Sequence, residues 1–152
     1  MKKNLFLFSA LILTACSNQV KNTVALTPPD LIKSGFIKLN GDTQYYIDSN
    51  SISMDKADKR LVHFDAVINL DKGEFVYKEQ PELYAKSMRQ NKILNCENYR
   101  LIQTKTDFYS EYWGTGILSS PLKQEKNSIS LEKGSLLYKL SQIMCANLSR
   151  SW

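Results

Sequence analysis

The chain has 152 residues, 43% of them hydrophobic, with 20 Lys+Arg against 15 Asp+Glu and a formal net charge of +5. That length is enough for one domain with its own core and too short for two. A metal site at Cys96 and Cys145 would lack partners, since His63 is the only histidine and the one further cysteine, Cys16, lies just behind the N-terminal leader.

The first informative segment is Leu13-Thr14-Ala15-Cys16, which closes an apolar run behind Lys2-Lys3. Two lysines form an n-region, and Leu5 to Leu13 form an h-region too short to span a bilayer as a helix. The small Ala15 precedes a cysteine at the position of cleavage. This is a lipobox. Residues 1–15 are expected to be a lipoprotein signal peptide, and Cys16 is expected to carry the acyl chains after cleavage. Two or three chains, at roughly 0.8 kcal/mol per buried methylene, hold a protein on a membrane where one would be marginal. Ser17 in place of Asp after the cysteine favours sorting to the outer membrane. The competing reading is an ordinary secretory signal with an incidental Cys16. Cleavage would remove two lysines and no acid, leaving 137 residues with a formal charge of +3.

Residues 16–33 are polar, end near Pro28-Pro29 and read as a lipidated flexible tether. From Ser34 the pattern turns to period two, and 34–152 is read as the folded domain. Phe36 to Leu39 and Gln44 to Ile47 predict a hairpin around Asn40-Gly41-Asp42, and Asp48-Ser49-Asn50-Ser51 is expected to end the second strand. The clearest strand is Leu61 to Leu70, with Val62, Phe64, Ala66, Ile68 and Leu70 on a core face and His63, Asp65 and Asn69 on the other. Asp71-Lys72-Gly73 is expected to turn the chain, and Glu74 to Tyr77 to begin a return that Pro81 interrupts.

Tyr84 to Cys96 and Tyr99 to Tyr109, joined at Glu97-Asn98, predict a long central hairpin; Thr115 to Ser120 and Ser128 to Leu131 are weaker strands. After Gly134-Ser135 the spacing becomes helical. Leu137, Leu140, Met144 and Leu148 form one stripe, widened by Ile143. The fold class expected is α+β, an antiparallel β-sheet packed by a single C-terminal α-helix. Cys96 and Cys145 form an even pair in an exported chain and read as a disulfide tying helix to sheet. Closing a loop of about 50 residues is worth on the order of 4 kcal/mol in the chain-entropy model.

Catalysis finds little support: the chain has no second histidine, no Gly-x-Ser-x-Gly and no Gly-rich phosphate loop. His63 sits on the polar face of a strand, and Asp65 and Asp71 make no convincing carboxylate pair. No catalytic residue and no metal ligand is assigned. The central hairpin, in contrast, is basic. Lys86, Arg89, Lys92, Arg100 and Lys105 face the single acid Glu97, with Tyr84, Tyr99, Tyr109, Tyr112 and Trp113 nearby as flat contact area. Lys86 and Lys92 point with Met88 and Leu94, and Arg89 points the other way, so a shared patch requires a strand exposed on both faces. Two readings stand side by side: a solvated sheet edge whose lysines discourage pairing, and a binding site for an acidic partner. Nucleic acid is excluded as that partner by export.

Several strings taken in order give the chain a likeness. These are Leu13-Thr14-Ala15-Cys16, Tyr45-Tyr46-Ile47-Asp48-Ser49, Val62-His63-Phe64-Asp65-Ala66-Val67, Asn69-Leu70-Asp71-Lys72-Gly73, Arg89-Gln90, Lys92-Ile93-Leu94-Asn95-Cys96, Thr106-Asp107-Phe108-Tyr109 and Cys145-Ala146-Asn147. With them the chain resembles the surface-adhesin protein E family of outer-membrane lipoproteins. The resemblance implies a homodimer and adhesion to vitronectin, laminin and plasminogen, with haem binding also known in the family. It implies a vitronectin-binding segment at roughly Gln80 to Thr104 and a laminin- and plasminogen-binding segment near Ile37 to Phe64. One departure concerns charge: Tyr77-Lys78-Glu79-Gln80-Pro81-Glu82-Leu83 is more acidic than the family leads one to expect. The expectation is therefore a non-enzymatic, surface-exposed outer-membrane lipoprotein adhesin with ligand-binding residues Tyr84, Lys86, Arg89, Lys92, Tyr99, Arg100 and Lys105. The alternative is a periplasm-facing accessory or inhibitor lipoprotein that binds an envelope component. A scaffold can keep its fold while its exposed site changes ligand.

Overall fold

A computed structural model describes residues 23–39 and 43–149. Cys16, the lipobox and the Asn40-Gly41-Asp42 turn lie outside the described residues. Eight strands precede one helix: β1 (Val24–Ala25), β2 (Phe36–Lys38), β3 (Tyr45–Met54), β4 (Leu61–Glu74), β5 (Ala85–Asn95), β6 (Arg100–Glu111), β7 (Thr115–Ser119), β8 (Asn127–Ser130) and α1 (Leu136–Ser149). Strands β2 to β7 lie side by side in chain order, each antiparallel to its neighbours. Strand β1 pairs with the end of β4, and β7 and β8 pair with opposite ends of β6.

The helix begins where Ser135 Oγ accepts the Tyr138 backbone N–H at 3.1 Å, an N-cap bond preceded by Gly134 at φ 89°. Its inner stripe meets one face of the sheet. Met144 is buried, and Leu137, Leu140 and Leu148 pack against Ile47, Val62, Phe64, Leu94 and Leu101. Ile143, expected to widen that stripe, is 55% exposed and lines the rim instead. Cys96 and Cys145 are joined in a disulfide with Cα atoms 5.8 Å apart, fixing the helix to the end of β5 as expected.

Three local readings are corrected. Asp48-Ser49-Asn50-Ser51 does not end β3; it forms an irregularity through which the strand continues. The side chains there replace lost ladder bonds: Asp48 Oδ1 accepts the Asn50 N–H at 3.1 Å, Ser51 Oγ donates to Asp48 O at 2.6 Å, and Ser51 Oγ accepts the Asp65 N–H at 2.8 Å. Asp71-Lys72-Gly73 makes no turn, because β4 runs through it to Glu74, and no return strand follows. The bond partners come from the segment read as tether: Val24 and Ala25 pair with Gly73 and Lys72, and Leu26 N–H donates to Asp71 O at 2.8 Å. Residues 24–26 are thus laid onto the sheet.

The alternation of β4 also changes phase. Val62, Phe64 and Ala66 are buried beneath the helix as expected, but Val67 and Asn69 on the other face are buried too, while Ile68 and Leu70 are half-buried. Something must therefore cover the second face. That cover is the β6–β7 loop: Trp113 packs at a tilt against Tyr46 and Phe36, ring centroids 4.7 and 5.0 Å away.

Candidate functional site

The basic hairpin β5–β6 is the centre of the sheet, with β5 paired to β4 along one edge and β6 along the other. It is neither a sheet edge nor an overhang, so the predicted residues divide according to what lies above each face.

Arg89 lies on the loop-covered face. Its Nη1 donates to Asp48 Oδ2 and Asp65 Oδ2, both at 2.8 Å, and Asn91 Nδ2 donates to Asp65 Oδ1 at 2.5 Å. Burial works against the guanidinium charge, but the hydrogen bonds to Asp65 and Asp48 outweigh it and hold Arg89 protonated. Gly114 sits directly against this guanidinium; a Cβ there would come within 2.8 Å of Arg89 Nε. Trp113 and Gly114 both take positive φ, 68° and 64°, which costs a tryptophan conformational energy. The turn is held by two buried bonds, Trp113 N–H to Asn69 Oδ1 and Gly114 N–H to Ser87 Oγ, each 2.9 Å.

Lys92 lies on the helix-side face and is 8% exposed. Its ammonium donates to Gln103 Oε1 at 2.6 Å, and burial pulls its pKa down to about 8. Lys92 is therefore buried, and Arg89, with its side chain 20% exposed, is half-buried. Both cations spend their hydrogen bonds on protein partners, Arg89 on Asp48 and Asp65 and Lys92 on Gln103.

The remaining positions are accessible, though not as one patch. Lys86 Nζ pairs with Glu111 Oε2 at 3.0 Å, and Lys105 Nζ with Asp107 Oδ2 at 2.6 Å. Arg100 is exposed and donates to Ser128 Oγ at 3.1 Å. Tyr99, at φ 52° in the β5–β6 turn, packs on Tyr138, and Tyr84 packs edge-on against Phe75 and over Gly73. Tyr84 and Lys86 stand at one end of the sheet and Tyr99 and Arg100 at the other.

Sequence reasoning missed two features. The acidic partners of Arg89, Asp48 and Asp65, come from two other strands, and nothing local signals their meeting. A cleft of about 730 Å³ opens between residues 75–81 and β7, bordered by the exposed Phe75, Ile117, Leu118 and Leu122. Isolated apolar residues in polar loops, Leu122 after Pro121 above all, were its available signal. The single histidine, His63, has its Nε2 2.7 Å from Asp55 Oδ2.

A curled antiparallel sheet, one disulfide-clamped helix and charges matched mainly to one another define a small single-sheet α+β module. The sequence profile of surface-adhesin protein E matches residues 36–146, and the chain belongs to that family. It is 49% identical, over all of its length and 97% of theirs, to the surface-adhesin protein E of Haemophilus influenzae strains NTHi 3655 and KW20 Rd. Its fold is similar to the crystal structure of protein E from non-typeable Haemophilus influenzae, with TM-score 0.77 and 51% identity over 86% of this chain and 88% of that one. A second structure of Haemophilus influenzae protein E gives 0.76 and 50% over 86% and 98%.

Proposed function

We propose that this chain is a non-enzymatic adhesin, lipid-anchored at Cys16 to the outer membrane and exposed at the cell surface, that binds host vitronectin, laminin and plasminogen as a homodimer. The observation that carries this reading is the full-length kinship, 49% identical, with proteins named for surface adhesion. The hairpin supplies the ligand-binding residues Tyr84, Lys86, Tyr99, Arg100 and Lys105, while Arg89 and Lys92 hold the strand that presents them. Exposed cations steer an acidic partner over a Debye length of about 8 Å at physiological salt. Binding of this kind weakens as salt rises.

Protease treatment of intact cells, paired with binding of the same cells to immobilised vitronectin, tests the proposal. Digestion of the domain with loss of vitronectin binding is the expected result. A domain that is protected until the outer membrane is opened places it in the periplasm and favours the accessory-lipoprotein alternative. Metabolic labelling with a palmitate analogue checks the anchor, since Cys16→Ser should abolish the label.

A further inference from the structure

The strands give the molecule two ends. At one, Glu74 pairs with Ala85, β7 pairs with Phe108 to Glu111, and the apolar cleft opens. At the other, Leu61 pairs with Asn95, Arg100 pairs with Ser130, and the disulfide closes the helix onto the sheet. A strand of 14 residues separates them by roughly 40 Å.

The exposed apolar side chains at the first end are large and adjacent in the fold. Leu122 is 95% exposed, Leu118 51%, Ile117 50% and Phe75 45%. The segment carrying them is fixed rather than loose: Tyr77 OH donates to Ile117 O at 2.7 Å, and Ser119 Oγ to Val76 O at 3.0 Å. Such a patch marks a contact surface. The point of entry of the chain says what it meets. Strand β1 pairs with Lys72 and Gly73, two residues before Phe75, so the chain enters the sheet at Val24 beside the cleft, eight residues after Cys16. Eight extended residues span at most about 28 Å, less than the length of the sheet. Anchored at Cys16, the molecule keeps this end near the bilayer.

We infer that the cleft end is a membrane-docking surface, with Phe75, Ile117, Leu118 and Leu122 seated in the lipid interface and the β5–β6 turn held outward. The inference rests on the lipid anchor proposed above. Tethering makes docking intramolecular, so a modest apolar area suffices where a free domain would dissociate. Exposed Lys72, Lys78 and Lys123 are offset by Asp71, Glu74, Glu79 and Glu82, so apolar contact rather than anionic headgroups drives the docking. Orientation follows: Tyr99 and Arg100 face away from the membrane, and Tyr84 and Lys86 face toward it.

The test uses full-length lipoprotein carrying Leu122→Cys, labelled with an environment-sensitive NBD fluorophore and reconstituted into phosphatidylethanolamine–phosphatidylglycerol vesicles. Ile117→Cys serves as a second position, and Ile129→Cys on β8 as the distal control. The expected result is a blue-shifted emission quenched by spin-labelled lipid at Leu122 and Ile117, with Ile129 unchanged and little effect of salt. An aqueous spectrum at both cleft positions on protein that floats with the vesicles overturns docking and leaves the anchor standing. Protein that fails to float overturns both. A blue shift present before lipid is added shows that another copy fills the cleft, and equal shifts at all three sites show non-specific insertion; either result overturns the inference.

Discussion

The two faces of the central sheet are both buried, and they are buried by different chemistry. Beneath the helix, Phe64, Leu94 and Leu101 meet an apolar stripe. Beneath the Trp113 loop, the strands present Arg89, two aspartates and an asparagine beside Tyr46 and Phe36. An apolar face tolerates imperfect partners, because dispersion and burial are non-directional. A charged face holds only while each group keeps its partner, since an orphaned charge costs far more than a matched pair contributes. The cover of the first face is covalently tied, and that of the second is held by hydrogen bonds and one tilted indole.

The comparison breaks most severely at the covalent tie. Replacing Cys96 and Cys145 together with Ala frees α1 and should lower stability by about 4 kcal/mol, in keeping with a loop of 49 residues, as read by chemical unfolding. On the other face, Arg89→Met should cost about 2 to 3 kcal/mol, because it leaves the Asp48 and Asp65 carboxylates facing each other. Adding Asp48→Asn and Asp65→Asn should recover much of that loss. No recovery would show that Arg89 matters for shape rather than charge.

Lys92→Met sharpens the contrast in the opposite direction. The folded protein releases the Lys92 proton near pH 8, the unfolded chain near its ordinary value of about 10.4. Between those values the unfolded state binds more protons, so stability rises with pH across that window. The methionine variant should be about 1 kcal/mol more stable at pH 7, and its stability curve should be flatter from pH 8 to 10. Above pH 10 partly buried Tyr45, pushed up to about 12, reverses the slope because the folded state now holds the extra proton. Thermal melts at half-unit steps of pH would separate the two.

The smallest effects belong to the surface. Lys86→Ala and Arg100→Ala should each change stability by less than about 0.5 kcal/mol while weakening vitronectin binding a few-fold, measured by surface plasmon resonance at two salt concentrations. If the cleft end lies on the membrane, Arg100→Ala should matter more than Lys86→Ala on whole cells, and the two should be equal on free domain.

Periodicity and turn chemistry carried much of the fold. The alternation of Val62, Phe64 and Ala66, the Glu97-Asn98 turn with its Asn95 side-chain bonds, the stripe from Leu137 to Leu148 and the pairing of two cysteines are all local or nearly local signals. The sequence alone determined strand, helix and bridge because each depends on residues a few positions apart or on the redox compartment. Only tertiary structure decided that the basic hairpin is central, that Arg89 is claimed by Asp48 and Asp65, and that Val67 and Asn69 lie inside. Period two reports which side chains face alike, not what lies over them, and both the Trp113 loop and residues 24–26 arrive from far along the chain.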